Sequence, residues 1–358
     1  MPKITKKVGR NIRNLISGPK NLIFRASGIP LKPKGLVFMI TDKCNSRCMH
    51  CNIWHQKPVD NPLTAQEIER IFSDKLFEDV KIVICTGGEP SVRNDLPDIF
   101  LGFHKAMPNA TLQLSTNGLL PERVIKAVNM AMENDIKMDV GVSIDGIGDK
   151  NDAIRGVPGS FEKVNRLFSE LLSIKEKHPD RLSITAGIVI SDLTIDSIYD
   201  VREYTRKLKI GLVEAWYNTS LFYKNKNDKE KAQFKDKLRE IVGSQPLSVT
   251  RDKWLKWLKG SPIKFPCFAA NTFCVVKCDG DMVPCLTLWD QKLGNTRDLS
   301  PWQIWHSEQA KKVRKSVKQC NGCLNSWGLG WSIEDSYYQK LLLAIKHPLL
   351  AAKKLLST

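Results

Sequence analysis

The stretch Gly35-Leu-Val-Phe-Met-Ile-Thr41, with Cys44-Asn-Ser-Arg-Cys48-Met-His50-Cys51 close behind it, decides how the chain is read. A short, unbroken apolar run that ends in polar residues reads as a buried strand. The CxxxCxxC that follows therefore sits on the loop leaving that strand. Three thiolates cannot fill four positions around a metal. A [4Fe–4S] cube held by three cysteines keeps one iron without a protein ligand, and an open coordination position marks a catalytic centre rather than a structural one. Cys44, Cys48 and Cys51 thus predict an enzyme with an open cluster at a strand end.

Working outward, five more β-rich runs alternate with helical patterns. The expected strands are 35–41, 80–86, 111–116, 138–144, 183–190 and 211–217, with helices beginning near Thr64, Asp95, Pro121, Ser160 and Thr194. Thr64-Ala-Gln-Glu67 has the form of a capping box. Six βα steps imply a parallel sheet with helices outside it. Right-handed crossovers curl such a sheet toward a barrel. Chemistry in βα barrels gathers at the C-terminal strand ends, where the cysteine loop falls.

The chain has 358 residues and a formal net charge of +17. The excess is terminal. Residues 1–34 carry Lys3, Lys6, Lys7, Arg10, Arg13, Lys20, Arg25, Lys32 and Lys34 and no acid, while 311–358 set nine Lys/Arg against Glu334 and Asp335. Ile4, Val8, Ile12, Leu15 and Ile16 fall at helical spacing, and Tyr338–Leu356 is a second basic, leucine-rich segment. Such segments can lie on anionic lipid headgroups, or simply pack their apolar stripes and leave lysines in water. No apolar run reaches the roughly 18 residues of a spanning helix. The N-terminus is too charged for a secretory signal. Ten cysteines in such a chain argue for metal binding in a reducing cytoplasm rather than disulfides.

About one βα unit after the triplet stands Thr86-Gly-Gly-Glu-Pro90, and far downstream stand Cys267, Cys285, Cys320 and Cys323. With these the chain resembles the radical S-adenosylmethionine (SAM) superfamily, and within it the SPASM/twitch subgroup. The resemblance implies an α/β fold: a partial (β/α)6 radical SAM barrel over 35–223 with a small C-terminal cysteine-rich twitch/SPASM-like domain over 265–330. Around these lie a basic N-terminal extension (1–34), a helical bridge (224–264) and a basic amphipathic C-terminal helix (331–358). It implies SAM chelated by the open iron, with His50 in the slot where relatives usually carry an aromatic ring near the adenine. Gly87, Gly88, Glu89 and Pro90 would meet the methionyl amine. Thr116 and Asn117 at the end of strand three, and Ser143 and Asp145 at the end of strand four, would meet the ribose, although turn chemistry alone explains Asn-Gly and Asp-Gly equally well. Arg155 would meet the SAM carboxylate, with a surface salt bridge as the plain alternative.

Cys278-Asp-Gly-Asp-Met-Val-Pro-Cys285 reads as a tight hairpin. The resemblance assigns Cys267, Cys285, Cys320 and Cys323 as ligands of one auxiliary [4Fe–4S] cluster, since no cysteine follows Cys323 to build a second. Cys85, Cys274 and Cys278 are expected to be buried thiols. A zinc site with four cysteine ligands is the alternative for the downstream set. In the sulfatase-maturing branch an aspartate base follows the cysteine that corresponds to Cys285; here Leu286 stands there.

These features lead to a radical SAM oxidoreductase or modifying enzyme acting on a small or lipid-linked polar substrate. The auxiliary cluster would serve electron transfer, and an external donor of flavodoxin or ferredoxin type would start the reaction. The alternatives are a peptide- or protein-modifying enzyme and, further off, an RNA-modifying one, nucleic acid being the least expected partner. Trp254 and Trp257 in the bridge are expected to pack rather than stack on a base. The expected location is the cytoplasm, with the basic ends able to hold the protein at an anionic membrane surface.

Overall fold

The structure, a computed structural model, describes residues 18–216, 232–261, 265–320 and 326–336 together with Leu342, Ile345, Lys346 and Pro348. The amphipathic segment at 4–16, most of that at 338–356, and Cys323 lie outside the described residues.

Nine strands form one sheet in the order β6-β5-β4-β3-β2-β1-β7-β8-β9. The first six are β1 (Gly35–Thr41), β2 (Ile82–Gly87), β3 (Thr111–Thr116), β4 (Met138–Ser143), β5 (Leu182–Ile190) and β6 (Gly211–Trp216). They pair in parallel with their sequence neighbours, as six successive βα steps require. All six expected strands are present, within two residues at each end. The helices between them are α1 (Ala65–Phe72), α2 (Leu96–Ala106), α3 (Pro121–Glu133), α4 (Asp149–Arg155), α5 (Ser160–Lys177) and α6 (Ile198–Leu208). The capping box at α1 forms: Glu67 N donates to Thr64 Oγ1 at 3.2 Å and Thr64 N to Glu67 Oε2 at 2.9 Å. Helix α4 has no counterpart among the expected elements. Two turns are too short for a periodicity to show, and a left-handed Gly156 ends it.

Alternation sorts the strands into two faces. Leu36, Phe38 and Ile40, then Val83, Cys85, Leu112, Leu114, Val140, Val142, Ile184, Ala186 and Ile188, face the helices and are fully or almost fully buried. Phe38 meets Phe72 and Phe103 edge-on, with centroids 5.5 and 5.3 Å apart. Burying each such ring contributes about 2–3 kcal/mol. The opposite face lines the lumen, and one register row crosses it through Val37, Ile84, Gln113, Asp139 and Ser183.

The cysteine-rich segment shares this sheet. β7 (Phe273–Val276) runs parallel to β1, with Val37 opposite Val275. β8 (Asp281–Val283) and β9 (Gly294–Asn295) return antiparallel, with Val275 opposite Val283. The Asp279-Gly280 turn is as expected, Gly280 having φ +90°. Between β6 and β7 lie helices α7 (Ala232–Ser244) and α8 (Val249–Leu258). Trp254 is buried and Trp257 packs half-buried against the main core, so both tryptophans are packing residues. After β9 come α9 (Pro301–His306), α10 (Glu308–Gln319) and α11 (Ser326–Ser336). No helix of the described residues is long and apolar enough to cross a membrane.

Candidate active site

The loop after β1 is clamped from two sides. On one, Gly88 N donates to Thr41 O at 2.6 Å and Glu89 N to Lys43 O at 2.8 Å. A Cβ at Gly87 would stand 2.1 Å from Thr41 O, and one at Gly88 2.1 Å from Lys43 O. The close approach that these two glycines allow is thus to the cysteine loop's own backbone. On the other side, Arg47 N donates to Arg155 O at 3.1 Å, Met49 N to Ile154 O at 2.9 Å and Ser46 Oγ to Arg155 O at 2.9 Å. Gly156, at φ +64°, leaves room for Arg47 O, which a Cβ would meet at 2.6 Å.

Between the clamps stand the thiols, Cys48 buried and Cys44 and Cys51 half-buried. Polar groups point at the sulfurs. Ser46 N donates to Cys44 Sγ at 3.5 Å and Asn117 Nδ2 at 3.9 Å, while Ser46 Oγ lies 3.1 Å and Arg155 Nη1 3.8 Å from Cys48 Sγ. Burial pushes the Cys44 thiol up to about 11, the charges of Glu89, Cys48 and Cys51 adding to it against the Ser46 bond. Metal ligation takes such a thiol as its thiolate and releases the proton. Among the described residues no three His, Cys, Asp or Glu side chains converge closely enough to hold a single metal ion.

Glu89 is fully buried and turned inward. Its Oε1 accepts from Ser91 N (3.0 Å), Ser91 Oγ (2.6 Å) and Thr116 Oγ1 (2.7 Å), and its Oε2 from Asn117 N (2.6 Å). Burial raises its carboxyl although these bonds hold the anion. Glu89 thereby ties the end of β2 to the end of β3. Pro90 opens the short turn Pro90–Val92 that follows. Asn117 continues the tie to the cysteine loop through Asn45 Oδ1 at 2.8 Å. Asn45, Ser46 and Ser91 are site residues that sequence reasoning missed. Asn45 and Ser46 fill unspecified positions of the CxxxCxxC and Ser91 follows the Gly-Gly-Glu-Pro turn, so only their contacts reveal them.

The third group is His50, Asp145 and Arg155, all nearly or fully buried. Asp145 Oδ2 lies 2.7 Å from Arg155 Nε and 3.7 Å from His50 Nε2. Burial holds His50 below its ordinary value; Asp145 pulls it up and Arg155 down. For Arg155, burial opposes the charge, and Asp145 with the Cys48 and Cys51 sulfurs more than restores it. His50 is thus no exposed histidine, and the surface-salt-bridge reading of Arg155 does not fit this burial. Ser143 stands apart, on the lumen face of β4 opposite Gly187.

His50 Nδ1, Asp145 Oδ2 and Arg155 Nε have no aligned hydrogen-bond partner, the 2.7 Å approach of the last two being a charge contact off the bonding direction. Leaving a buried polar atom such as His50 Nδ1 unpaired costs about 1–3 kcal/mol, whereas Asp145 and Arg155 offset each other's charge. An amino acid head with a ribose supplies donors and acceptors of the kind these atoms lack. The residues beside the three thiols therefore fit a SAM molecule held at an iron–sulfur cluster.

Of the downstream cysteines, Cys267 and Cys285 are half-buried and Cys320 is exposed at the end of α10. Cys285 Sγ accepts from Leu288 N at 3.3 Å. Burial raises its thiol, with the nearby Cys320 adding and the Leu288 and Thr287 bonds opposing. Arg25 Nε donates to Cys267 O at 2.7 Å. Cys85, Cys274 and Cys278 are buried; burial raises all three thiols, Cys274 and Cys278 to about 12. Leu286 and Trp289, just past Cys285, pack on the group of Met39 and Ile53 that also includes Cys44 and Cys51. The auxiliary loop thus reaches the first cysteine loop.

The Radical SAM superfamily pattern matches residues 38–205, and that of the SPASM iron–sulfur cluster-binding domain residues 267–324. Fe-coproporphyrin III synthase of Methanosarcina barkeri is 31% identical over 136 residues, 37% of this chain and 32% of that one. Pre-heme d1 synthase of Dinoroseobacter shibae is 35% identical over 142 residues, 38% and 33% of the two chains. The chain spans about a third of the length of these two relatives. Among solved structures, Streptococcus suis SuiB bound to S-adenosylmethionine superposes with a TM-score of 0.60 at 15% identity, covering 84% of this chain and 71% of that one. That likeness is one of fold.

Proposed function

Since this chain belongs to the radical SAM superfamily, in its SPASM/twitch subgroup, we propose that it oxidises or otherwise modifies a small or lipid-linked polar substrate by a radical route. The two domains imply [4Fe–4S] clusters. The observation that carries the reading is three thiols on one loop beside the buried His50–Asp145–Arg155 cluster, in which His50 Nδ1 has no hydrogen-bond partner.

Cys44, Cys48 and Cys51 would hold the open cluster. When bound, that cluster and SAM together supply a 5′-deoxyadenosyl radical that takes a hydrogen atom from the substrate. The chain's own part is placement and exclusion of water. Gly87 and Gly88 lock the β2 turn onto the cysteine loop, and Glu89 braces that turn against Thr116 and Asn117. Asp145 orients Arg155, whose charge suits a carboxylate, and His50, held neutral by burial, offers a flat ring beside the third cysteine. Leu286 and Trp289 close the apolar side. Cys267, Cys285, Cys320 and Cys323 would hold one auxiliary cluster, which would supply an electron-transfer centre, and an external flavodoxin- or ferredoxin-type donor would supply the first electron. Anaerobic reconstitution tests this: about eight irons per chain and reductive cleavage of SAM are expected, whereas about four irons, or zinc, removes the auxiliary assignment.

A peptide substrate is the second reading, favoured by one observation. Val213, in the middle of β6, is 50% exposed, so among the described residues the lumen is open sideways along a strand. A short precursor encoded beside this chain and altered by it would establish that reading.

A further inference from the structure

The lumen face is divided between two chemistries, and the division falls between β2 and β3. The row that crosses the sheet starts with Val283, Val275, Val37 and Ile84, then turns polar at Gln113, Asp139 and Ser183. Leu286 and Trp289 thicken the apolar half by packing on Val37, Ile84, Val275 and Val283. The next row repeats the polar side as Ser115, Gly141, Thr185 and Gly211. The row above it holds Ser143, Gly187 and Val213. A Cβ at Gly187 would meet nothing within 4 Å, and one at Gly141 would first meet Thr185 Oγ1 at 3.4 Å. Small residues thus keep the polar half open in front of hydroxyl and amide side chains.

Charge sharpens the division. Of the described residues that point into the lumen from β1 to β6, Asp139 alone is ionisable. It receives one hydrogen bond, from Thr185 Oγ1 at 3.4 Å, and no cation faces it from these strands. Burial raises its carboxyl, Thr185 opposing, which is the strain expected of a half-buried acid without a counter-charge.

We propose that the polar half is the substrate-binding surface and that it takes a hydroxyl- or amine-bearing head free of acidic groups, with Asp139 and Thr185 as its specificity-determining residues. The less polar part of the substrate lies against Leu286 and Trp289, which cover Val37 and Ile84. A phosphate or carboxylate placed here meets a lone carboxylate in a partly desolvated site, and like charges so placed are strongly disfavoured. The assignment rests on the radical-enzyme reading for the lumen being a reaction chamber.

The test uses the full chain, reconstituted anaerobically with SAM, and equilibrium dialysis against three probes of one skeleton: glucosamine, glucose and glucuronate. Glucosamine is expected to bind at least tenfold more tightly than glucuronate, with glucose between. Asp139→Asn should weaken glucosamine about tenfold and narrow the gap, and Gln113→Glu, one strand away in the same row, should widen it. Glucuronate binding as tightly as glucosamine, a gap that Asp139→Asn and Gln113→Glu both leave unchanged, or no probe binding at all overturns the assignment. Iron content and SAM cleavage of the same wild-type preparation show separately whether the radical reading stands.

Discussion

The carboxylate of Asp145 lies 2.7 Å from Nε of Arg155, with the aspartate fully buried and the arginine 8% exposed. The end of β4 thereby fixes a residue whose carbonyl and side chain both engage the cysteine loop. Asp145→Asn would leave a buried guanidinium without its counter-charge, which costs about 3–5 kcal/mol. Urea unfolding of the metal-free protein should show a loss of that order, and part of it should return in Asp145→Asn combined with Arg155→Met. An unchanged urea midpoint for the single variant would contradict the pairing.

Gly88→Ala places a methyl group 2.1 Å from Lys43 O, where only backbone could yield. Overpacking of this kind costs about 1–3 kcal/mol, and here the displaced segment is the one carrying Cys44. The variant should therefore retain far less iron than the wild type after reconstitution. Gly243→Ala, where a Cβ would meet nothing within 4 Å, is the control and should retain it all.

Iron counts divide the ten cysteines. Replacing Cys44, Cys48 or Cys51 by alanine should remove about four irons, and replacing Cys267, Cys285, Cys320 or Cys323 about four others. Cys85→Ala, Cys274→Ala and Cys278→Ala should keep the full complement, at a cost in stability only. Loss of iron on replacing Cys278 would move the auxiliary ligand set onto the hairpin turn.

Arg297, after β9, pairs with Glu67 on α1 at 2.8 Å, and this bond brings the Glu67 carboxyl down to about 2. A depressed carboxyl stabilises the fold above its ordinary value near 4.5 and loses that contribution as pH falls toward 2. Both side chains are more than a quarter exposed, so the gain is no more than about 1 kcal/mol. Glu67→Gln should be less stable than wild type at pH 7, and the difference should shrink steadily as pH is lowered below about 4.5. A difference that does not vary with pH would show that the charge is not responsible.

The barrel strands were legible because every one alternates or runs apolar, and Thr64, Asp95 and Pro121 punctuate the helices that follow. The cysteine loop, the β2 turn and Arg155 were legible as motifs. What the glycines and Glu89 do was not: their partners, Thr41, Lys43, Ser91 and Thr116, are brought close only by the pairing of strands. Helix α4 escaped because seven residues are too few to show a period. The change from Ile84 to Gln113 along one row is likewise invisible in a linear chain, since its members come from seven parallel or returning strands.

Because β7 lies beside β1, the first strand of the barrel is an interior strand and the sheet there is closed only by the last third of the chain. During synthesis, residues 35–41 would emerge long before Phe273, leaving the β1 edge unpaired in the meantime. Exposed edges of this kind invite pairing with other chains, and such long-range closure is slow. A chain stopped after β6 should accordingly aggregate. The site at Cys44, Cys48 and Cys51, whose loop Leu286 and Trp289 cover, would then be completed only once residues 273–289 have been made.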